Sequence, residues 1–308
     1  MTYSTLISAT QLLALVASKQ PLRIFDCSFD LMKPSAGQAD YLSAHIPGAV
    51  YADLDKSLSA KHGVPGAHGV ITASGADAPA SGGRHPLPNR EKFATWLSSV
   101  GFGNDMQAVV YDRNGGNYCG RLWWMLKWSG HRNVAVLDGG LQAWKAADGP
   151  VSSGEEPAHF QSSFTLGPEL MQLVDANAVM AGLGRQSLID ARGAARFRGE
   201  IEPLDPVAGH IPGALNRPFT ENFGPDGKFK PAAQLKVEFE ALLGGRDPSA
   251  VVHHCGSGVS ALPNLIAMEV AGLKGGALYA GSWSDWCSDR GRPHAKGYSS
   301  RQKLLNPP

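Results

Sequence analysis

No apolar run in this 308-residue chain approaches the roughly 20 residues that a membrane-crossing helix needs. The nearest thing to a leader core, Leu12 to Ala17, has no basic segment before it and is bounded by Gln11 and Lys19. Ser8 followed by Gln11 reads instead as a capping box opening a short amphipathic helix. These features predict a cytoplasmic chain without a signal peptide. A surplus of either charge is also missing: 28 Lys and Arg face 27 Asp and Glu, for a net charge of +1. That balance argues against a broad basic field for nucleic acid, so any anion must be met by local groups. Cysteine is sparse, and Cys27, Cys119, Cys255 and Cys287 show no C-x-x-C spacing. Neither a zinc site nor a disulfide framework is expected, and free thiols are the default. No nucleotide loop, metal cluster or lysine motif calls for a cofactor.

What the chain does have is length for two domains and a pattern that repeats. His45-Ile46-Pro47-Gly48-Ala49 recurs as His210-Ile211-Pro212-Gly213-Ala214. Each copy follows an apolar strand ending in Asp, Leu22–Asp26 or Ser187–Asp190, and precedes a short apolar stretch, Val50–Asp53 or Leu215–Asn216. A second block repeats without gaps at an offset of 142, so that Ala108–Tyr111 matches Ala250–His253. In the same register Gly116 matches Gly258, Gly130 matches Gly272, Gly139 matches Gly281 and Trp144 matches Trp286. An ordered run of this kind points to duplication and two similarly folded halves. Helical stretches at Arg90–Val100, Gly120–Trp128, Ala232–Leu243 and Ser260–Ala271 alternate with the strands. The alternation predicts an α/β fold in which each half is a mainly parallel sheet flanked by helices. Asp148–Ser163 lacks apolar periodicity and reads as a linker, giving domains at 1–150 and 165–308 joined by 151–164. Lys61–Gly83, rich in Gly, Ala and Ser, reads as a long surface loop.

The strongest chemical signal is Val251-Val252-His253-His254-Cys255-Gly256-Ser257-Gly258-Val259-Ser260. An apolar strand runs into Cys255, glycines let the chain curl, and a helix begins near Ser260 with Pro263 in its first turn. Backbone N–H groups wrapped around a sulfur, together with a helix N-terminus, stabilise the thiolate, which is the nucleophilic form. The competing reading of this segment is a structural cysteine at a strand end.

The paired HIPGA segments, the duplicated halves and the loop Cys255-Gly256-Ser257-Gly258-Val259-Ser260 resemble the tandem-domain rhodanese superfamily over nearly the whole chain. The resemblance implies two rhodanese-like domains, the second catalytic, with Cys255 carrying sulfur as a persulfide. The first domain would be silent, because the repeat register puts Arg113 opposite Cys255, with Asp112 before it. Thiosulfate-preferring members carry basic residues after the cysteine; here Gly256 and Ser257 are neutral, as in the mercaptopyruvate branch. That branch implies a relay of Ser257, His85 and Asp55, with Asp53 an alternative to Asp55, and His62 and His68 alternatives to His85. Asp55 and His85 come from the first half, so the relay would form where the halves meet. Substrate binding is implied for Arg192, with Arg196 one helical turn on, and for the loop residues Gly256, Gly258, Val259 and Ser260; no metal is implied. The expected partners are a small sulfur donor and an acceptor that is a thiol, cyanide or a thioredoxin-type protein, with no nucleic acid or membrane. Two rivals are a thiosulfate:cyanide enzyme and a non-enzymatic persulfide carrier. A cysteine phosphatase is rejected, since the Arg it needs six residues after the cysteine is Ala261 here.

Overall fold

The computed structural model describes residues 2–60 and 78–298. Two compact units emerge: one holds the residues up to Ala60, Pro88–Leu170 and Phe223–Phe229, the other Met171–Asn222 and the chain from Lys230. Residues 78–87 pack with the second unit, although they precede most of the first in sequence. His62, His68 and most of the predicted Lys61–Gly83 loop lie outside the described residues.

The first unit contains strands β1 (Leu6–Ile7), β2 (Leu22–Asp26), β3 (Val50–Tyr51), β4 (Gln107–Tyr111) and β5 (Val134–Leu137), paired in the order β1-β5-β4-β2-β3. All of these pairings are parallel. The second unit repeats the order with β6 (Gln172–Leu173), β7 (Ser187–Asp190), β8 (Leu215–Asn216), β9 (Val251–His254) and β10 (Ala277–Leu278), arranged β6-β10-β9-β7-β8, again all parallel. The fold is therefore α/β, a pair of parallel five-stranded sheets flanked by helices. The central strands β4 and β9 are buried along their whole length, as the inner strands of a parallel sheet are, and β9 buries His253 and His254 along with Val251 and Val252.

Local signals match the elements they predicted. Helix α1 (Ala9–Ala17) opens on the Ser8–Gln11 capping box, with both reciprocal hydrogen bonds formed. His45 Nδ1 donates to the Tyr41 carbonyl and His210 Nδ1 to the Phe197 carbonyl, both at 2.8 Å. Each ring stacks on the aromatic residue whose carbonyl it binds. The repeated histidine is thus a turn-holding device in each unit. Trp144 and Trp286, equivalent in the repeat, are both buried in the core of their own unit.

The loop after β4 is built around an internal anion. Asp112 is buried, and its Oδ1 accepts from the amides of Asn114 and Gly116, its Oδ2 from those of Tyr118 and Cys119, at 2.8–2.9 Å. One carboxylate thus holds the loop and the start of helix α4 (Cys119–Trp128) together. Removing it strands four donors at once, two in fully buried bonds, each buried one worth roughly 1–3 kcal/mol. Asp112→Ala is therefore expected to lower the stability of the first unit by about 3 kcal/mol or more in urea unfolding; an unchanged midpoint would contradict this account.

Candidate active site

Cys255 follows β9 directly and is 2 % exposed. Its loop is clamped from the side by helix α10 (Ser282–Trp286): Trp283 N–H donates to the Cys255 carbonyl at 3.0 Å and Ser284 N–H to that of Gly256 at 2.9 Å. The amide of Cys255 donates to Ser282 Oγ at 3.1 Å, and that hydroxyl donates to the Tyr279 carbonyl at 3.0 Å. Ser282 has φ +55°, a left-handed conformation that costs a residue with a side chain on the order of 1–3 kcal/mol. Lys19 and Asp148 share that sign of φ but are exposed, whereas Ser282 is fully buried. Its repeat equivalent, Gly140, adopts φ +56° at no such cost. The second unit therefore spends strain to set a hydroxyl under the Cys255 amide. Gly258 is required for a different reason: at φ +74°, a Cβ there would lie 2.2 Å from the Ala280 carbonyl oxygen. Helix α9 (Leu262–Val270) begins beyond Ser260, with Pro263 in its first turn as the sequence indicated.

Arg192 lies beside this loop, 3 % exposed and saturated with acceptors. Its Nε and Nη2 bind the Asp190 carboxylate, Nη2 also the Gly209 carbonyl at 2.7 Å, and Nη1 reaches Glu202 at 3.3 Å. Burial disfavours its charge, but Asp190 and Glu202 outweigh that and hold the guanidinium more firmly protonated than usual, with Cys255 adding to the same field. Burial would raise Asp190, yet Arg192 and His254 leave its carboxyl below the ordinary range. The guanidinium also stacks on Trp283, which is fully buried and donates its indole N–H to the Val207 carbonyl. Trp283 is thus a backing plate for Arg192. The partner of Arg192 is Asp190 together with Glu202; Glu200 pairs with Arg198 at 2.6 Å instead.

Arg196, on helix α7 (Ala194–Arg198), pairs with Glu202 at 2.6 Å and with Asp205 at 3.3 Å. Ser257 is buried, and its Oγ lies 2.7 Å from His85 Nδ1, so segment 78–87 brings that histidine to the cysteine loop within the second unit. Asp55 belongs to the first unit, in the turn after β3, where its amide donates to Asp53 Oδ1 at 2.8 Å. Asp53 also accepts from the Lys56 amide and faces the Lys56 ammonium at 3.6 Å, which gives it a turn-stabilising task of its own. Sequence reasoning missed Arg84, Glu202, Asp205 and Ser282. The repeat register held one clue, since it sets Ser282 against Gly140.

The other three thiols are poor nucleophiles. Burial, with nearby Asp26 and Asp112, pushes Cys27 and Cys119 well up, and burial with Asp205 pushes Cys287 up to about 11.

His253 and His254 are both fully buried at the end of β9. Burial pushes His253 down to about 3, reinforced by His254, and pushes His254 down to about 4 despite Asp190. In the unfolded chain an imidazole titrates near ~6.5, so below that pH the unfolded state binds protons that the native state refuses. Stability should then fall as the pH drops from about 6.5 toward 4, with a slope of up to about 3 kcal/mol per pH unit if both rings act. Urea unfolding across that range checks this, and a flat profile would contradict it.

Known proteins share this architecture. The model of the rhodanese-like domain matches residues 8–147 and again 169–289. A Pseudomonas aeruginosa protein, named provisionally as a 3-mercaptopyruvate sulfurtransferase, is 45 % identical over 96 % of this chain and 100 % of its own length. A Mycobacterium tuberculosis protein, named provisionally as the thiosulfate sulfurtransferase SseB, is 37 % identical over 95 % of this chain and 97 % of its own. The crystal structure of Escherichia coli SseA, described as a 3-mercaptopyruvate sulfotransferase, superposes with a TM-score of 0.72 at 30 % identity, covering 91 % of this chain and 99 % of that one. The chain belongs to the rhodanese family, with two copies of its domain.

Proposed function

We propose that this protein is a sulfurtransferase that takes sulfur from 3-mercaptopyruvate onto Cys255 and hands it to a thiol, cyanide or a thioredoxin-type protein. The observation that carries the choice of donor is the hydrogen bond between Ser257 and His85. When thiosulfate gives up its outer sulfur, sulfite departs as a stable anion and needs no proton. When mercaptopyruvate does so, the carbon–sulfur bond breaks to leave a pyruvate enolate, which must be protonated. A histidine coupled to a hydroxyl in the cysteine loop suits the second case.

The first step forms a bond between Cys255 sulfur and the donor sulfur while the donor's carbon–sulfur bond breaks. The electron pair of that bond goes to the enolate, and the proton from the donor thiol, carried by His85 and Ser257, ends on carbon. Pyruvate leaves, and Cys255 holds a persulfide whose outer sulfur passes to the acceptor. Asp55 is the third relay member that the family resemblance implies. Arg192 contributes a fixed positive field beside Cys255. Gly256, Gly258, Val259 and Ser260 turn the loop around the sulfur.

Charge supports the same donor. Arg84, Arg192 and Arg196 are matched by Asp190, Glu202 and Asp205 in one connected set of ion pairs. That balance favours one carboxylate over a dianion. The similarity to the Mycobacterium tuberculosis protein keeps thiosulfate as the second reading. The first domain, in our reading, is catalytically silent, since Arg113 stands in the nucleophile's place and binds Asp26. Reduced, buried thiols also fit a cytoplasmic protein.

The test is paired kinetics. Losing a charge-assisted contact costs about 1.5–3 kcal/mol, or roughly one to two decades. On that scale kcat/KM for mercaptopyruvate should exceed that for thiosulfate by at least about tenfold. Ser257→Ala should depress the mercaptopyruvate rate more than the thiosulfate rate. Equal or better use of thiosulfate by the unmodified protein would overturn the donor assignment.

A further inference from the structure

Gly256 follows Cys255 directly and has no side chain, yet it is not in neutral surroundings. The three atoms nearest to a Cβ built on it are all guanidinium nitrogens: Arg84 Nη2 at 3.3 Å, and Arg196 Nη1 and Nη2 at 3.5 and 3.6 Å. Two cations from outside the loop therefore face the position directly after Cys255. They come from distant parts of the sequence and are held by a shared carboxylate: Asp205 Oδ1 accepts from Arg84 Nη1 at 2.6 Å and Oδ2 from Arg196 Nη2 at 3.3 Å. Asp205 is nearly buried, with 4 % side-chain exposure, so this bridge fixes the spacing of the two guanidiniums and offsets their repulsion. Arg84 is anchored at its backbone as well, where its amide donates to Ser284 Oγ at 3.0 Å, on the same helix α10 that clamps the cysteine loop. Its side chain keeps 24 % exposure, and its buried Nε has no hydrogen-bond partner among the described residues. Arg192, in contrast, spends its donors on Asp190, Glu202 and Gly209.

We propose that Arg84, paired with Arg196 across Asp205, binds the carboxylate of the anionic sulfur donor on the Gly256 side of Cys255. The inference rests on the reading of Cys255 as the residue that meets an anionic donor. It divides the labour of the arginines: Arg192 is a buried structural cation that sets the field, while Arg84 and Arg196 form the face that meets the ligand. Planar guanidiniums suit a planar carboxylate, and because Asp205 neutralises part of their charge, one negative charge matches them better than two. It also places a binding residue directly beside His85 in sequence, so the segment carrying the proposed proton relay carries the donor's anchor too.

The experiment measures alkylation of Cys255, followed by peptide mapping, with two reagents of similar shape: anionic iodoacetate and neutral iodoacetamide. For Arg84→Gln, the ratio of the iodoacetate rate constant to that for iodoacetamide should fall about fivefold, since one exposed charge contact is lost. Arg84→Lys should recover part of it. KM for mercaptopyruvate should rise about tenfold in Arg84→Gln, with kcat changed by less than about twofold. If Arg84→Gln, which leaves Asp205 to Arg196 alone, does not fold, Arg84→Lys keeps the ion pair and should still raise KM for mercaptopyruvate and lower the reagent ratio in part, because an ammonium cannot hold a carboxylate bidentately. An unchanged ratio in a folded variant would overturn the proposal. If Cys255 carried no sulfur after incubation with mercaptopyruvate while the alkylation ratio still fell, the anion clamp would stand and the assignment of the donor would fail.

Discussion

A carboxylate sits buried at the end of the second strand of each unit, and each must have a guanidinium. In the second unit it is Asp190, fully buried, bound by Arg192 from two residues along. In the first it is Asp26, equally buried, bound at 3.0 Å by Arg113. An unpaired charge there would be costly, since breaking such a buried pair typically loses about 3–5 kcal/mol. The two units meet this shared requirement from opposite places. Where Arg192 stands after Asp190, the first unit has Ser28 after Asp26, and Ser28 also accepts a bond from Arg113. Arg113 occupies the position that Cys255 holds in the second unit. By supplying its cation from residue 192, the second unit leaves its loop position open to a cysteine.

The consequences extend outward from that pair. Arg192 binds Gly209 and Glu202; Glu202 holds Arg196; Asp205 ties Arg196 to Arg84. Trp283 backs Arg192, and the helix that carries Trp283 also gives Cys255 its clamp through Ser282 and two amides. The loops differ in the same sense. In the first unit Asp112 supplies an internal anion to the loop amides; its repeat equivalent in the second unit is the neutral, buried His254. A loop whose amides are already committed to its own carboxylate is not arranged to receive an external anion. That contrast is the physical basis for assigning sulfur chemistry to one unit.

Much of this was legible in the chain. The apolar start of strand β9 at Val251 and Val252 was plain, helix α8 (Ala232–Leu243) matched its predicted span, and the duplicated HIPGA turns named two similar sheets. Cys255 and Ser257 stood out because the loop is contiguous in sequence. What escaped was set by long-range packing. Arg84 is 121 residues from Asp205 and 172 residues separate His85 from Ser257, and no local pattern encodes such pairs. Glu200 and Glu202 stand two residues apart in the chain, and only burial separates Glu202 from exposed Glu200. Helix α9 begins two residues later than its predicted start at Ser260, because the turn needed to wrap the cysteine takes up the loop's last residues. Trp283 has Leu141 opposite it in the repeat register, which gives no hint that it supports Arg192.

The central claim is that one thiol, poised by this arrangement, carries the sulfur. Incubation of the full chain with mercaptopyruvate and no acceptor, followed by peptide mass mapping without reductant, tests it directly. The account predicts the mass of one added sulfur atom on the peptide containing Cys255, none on those containing Cys27, Cys119 or Cys287, and no turnover in Cys255→Ser with the fold retained. Sulfur added at one of the other three cysteines, or turnover that survives Cys255→Ser, would contradict it.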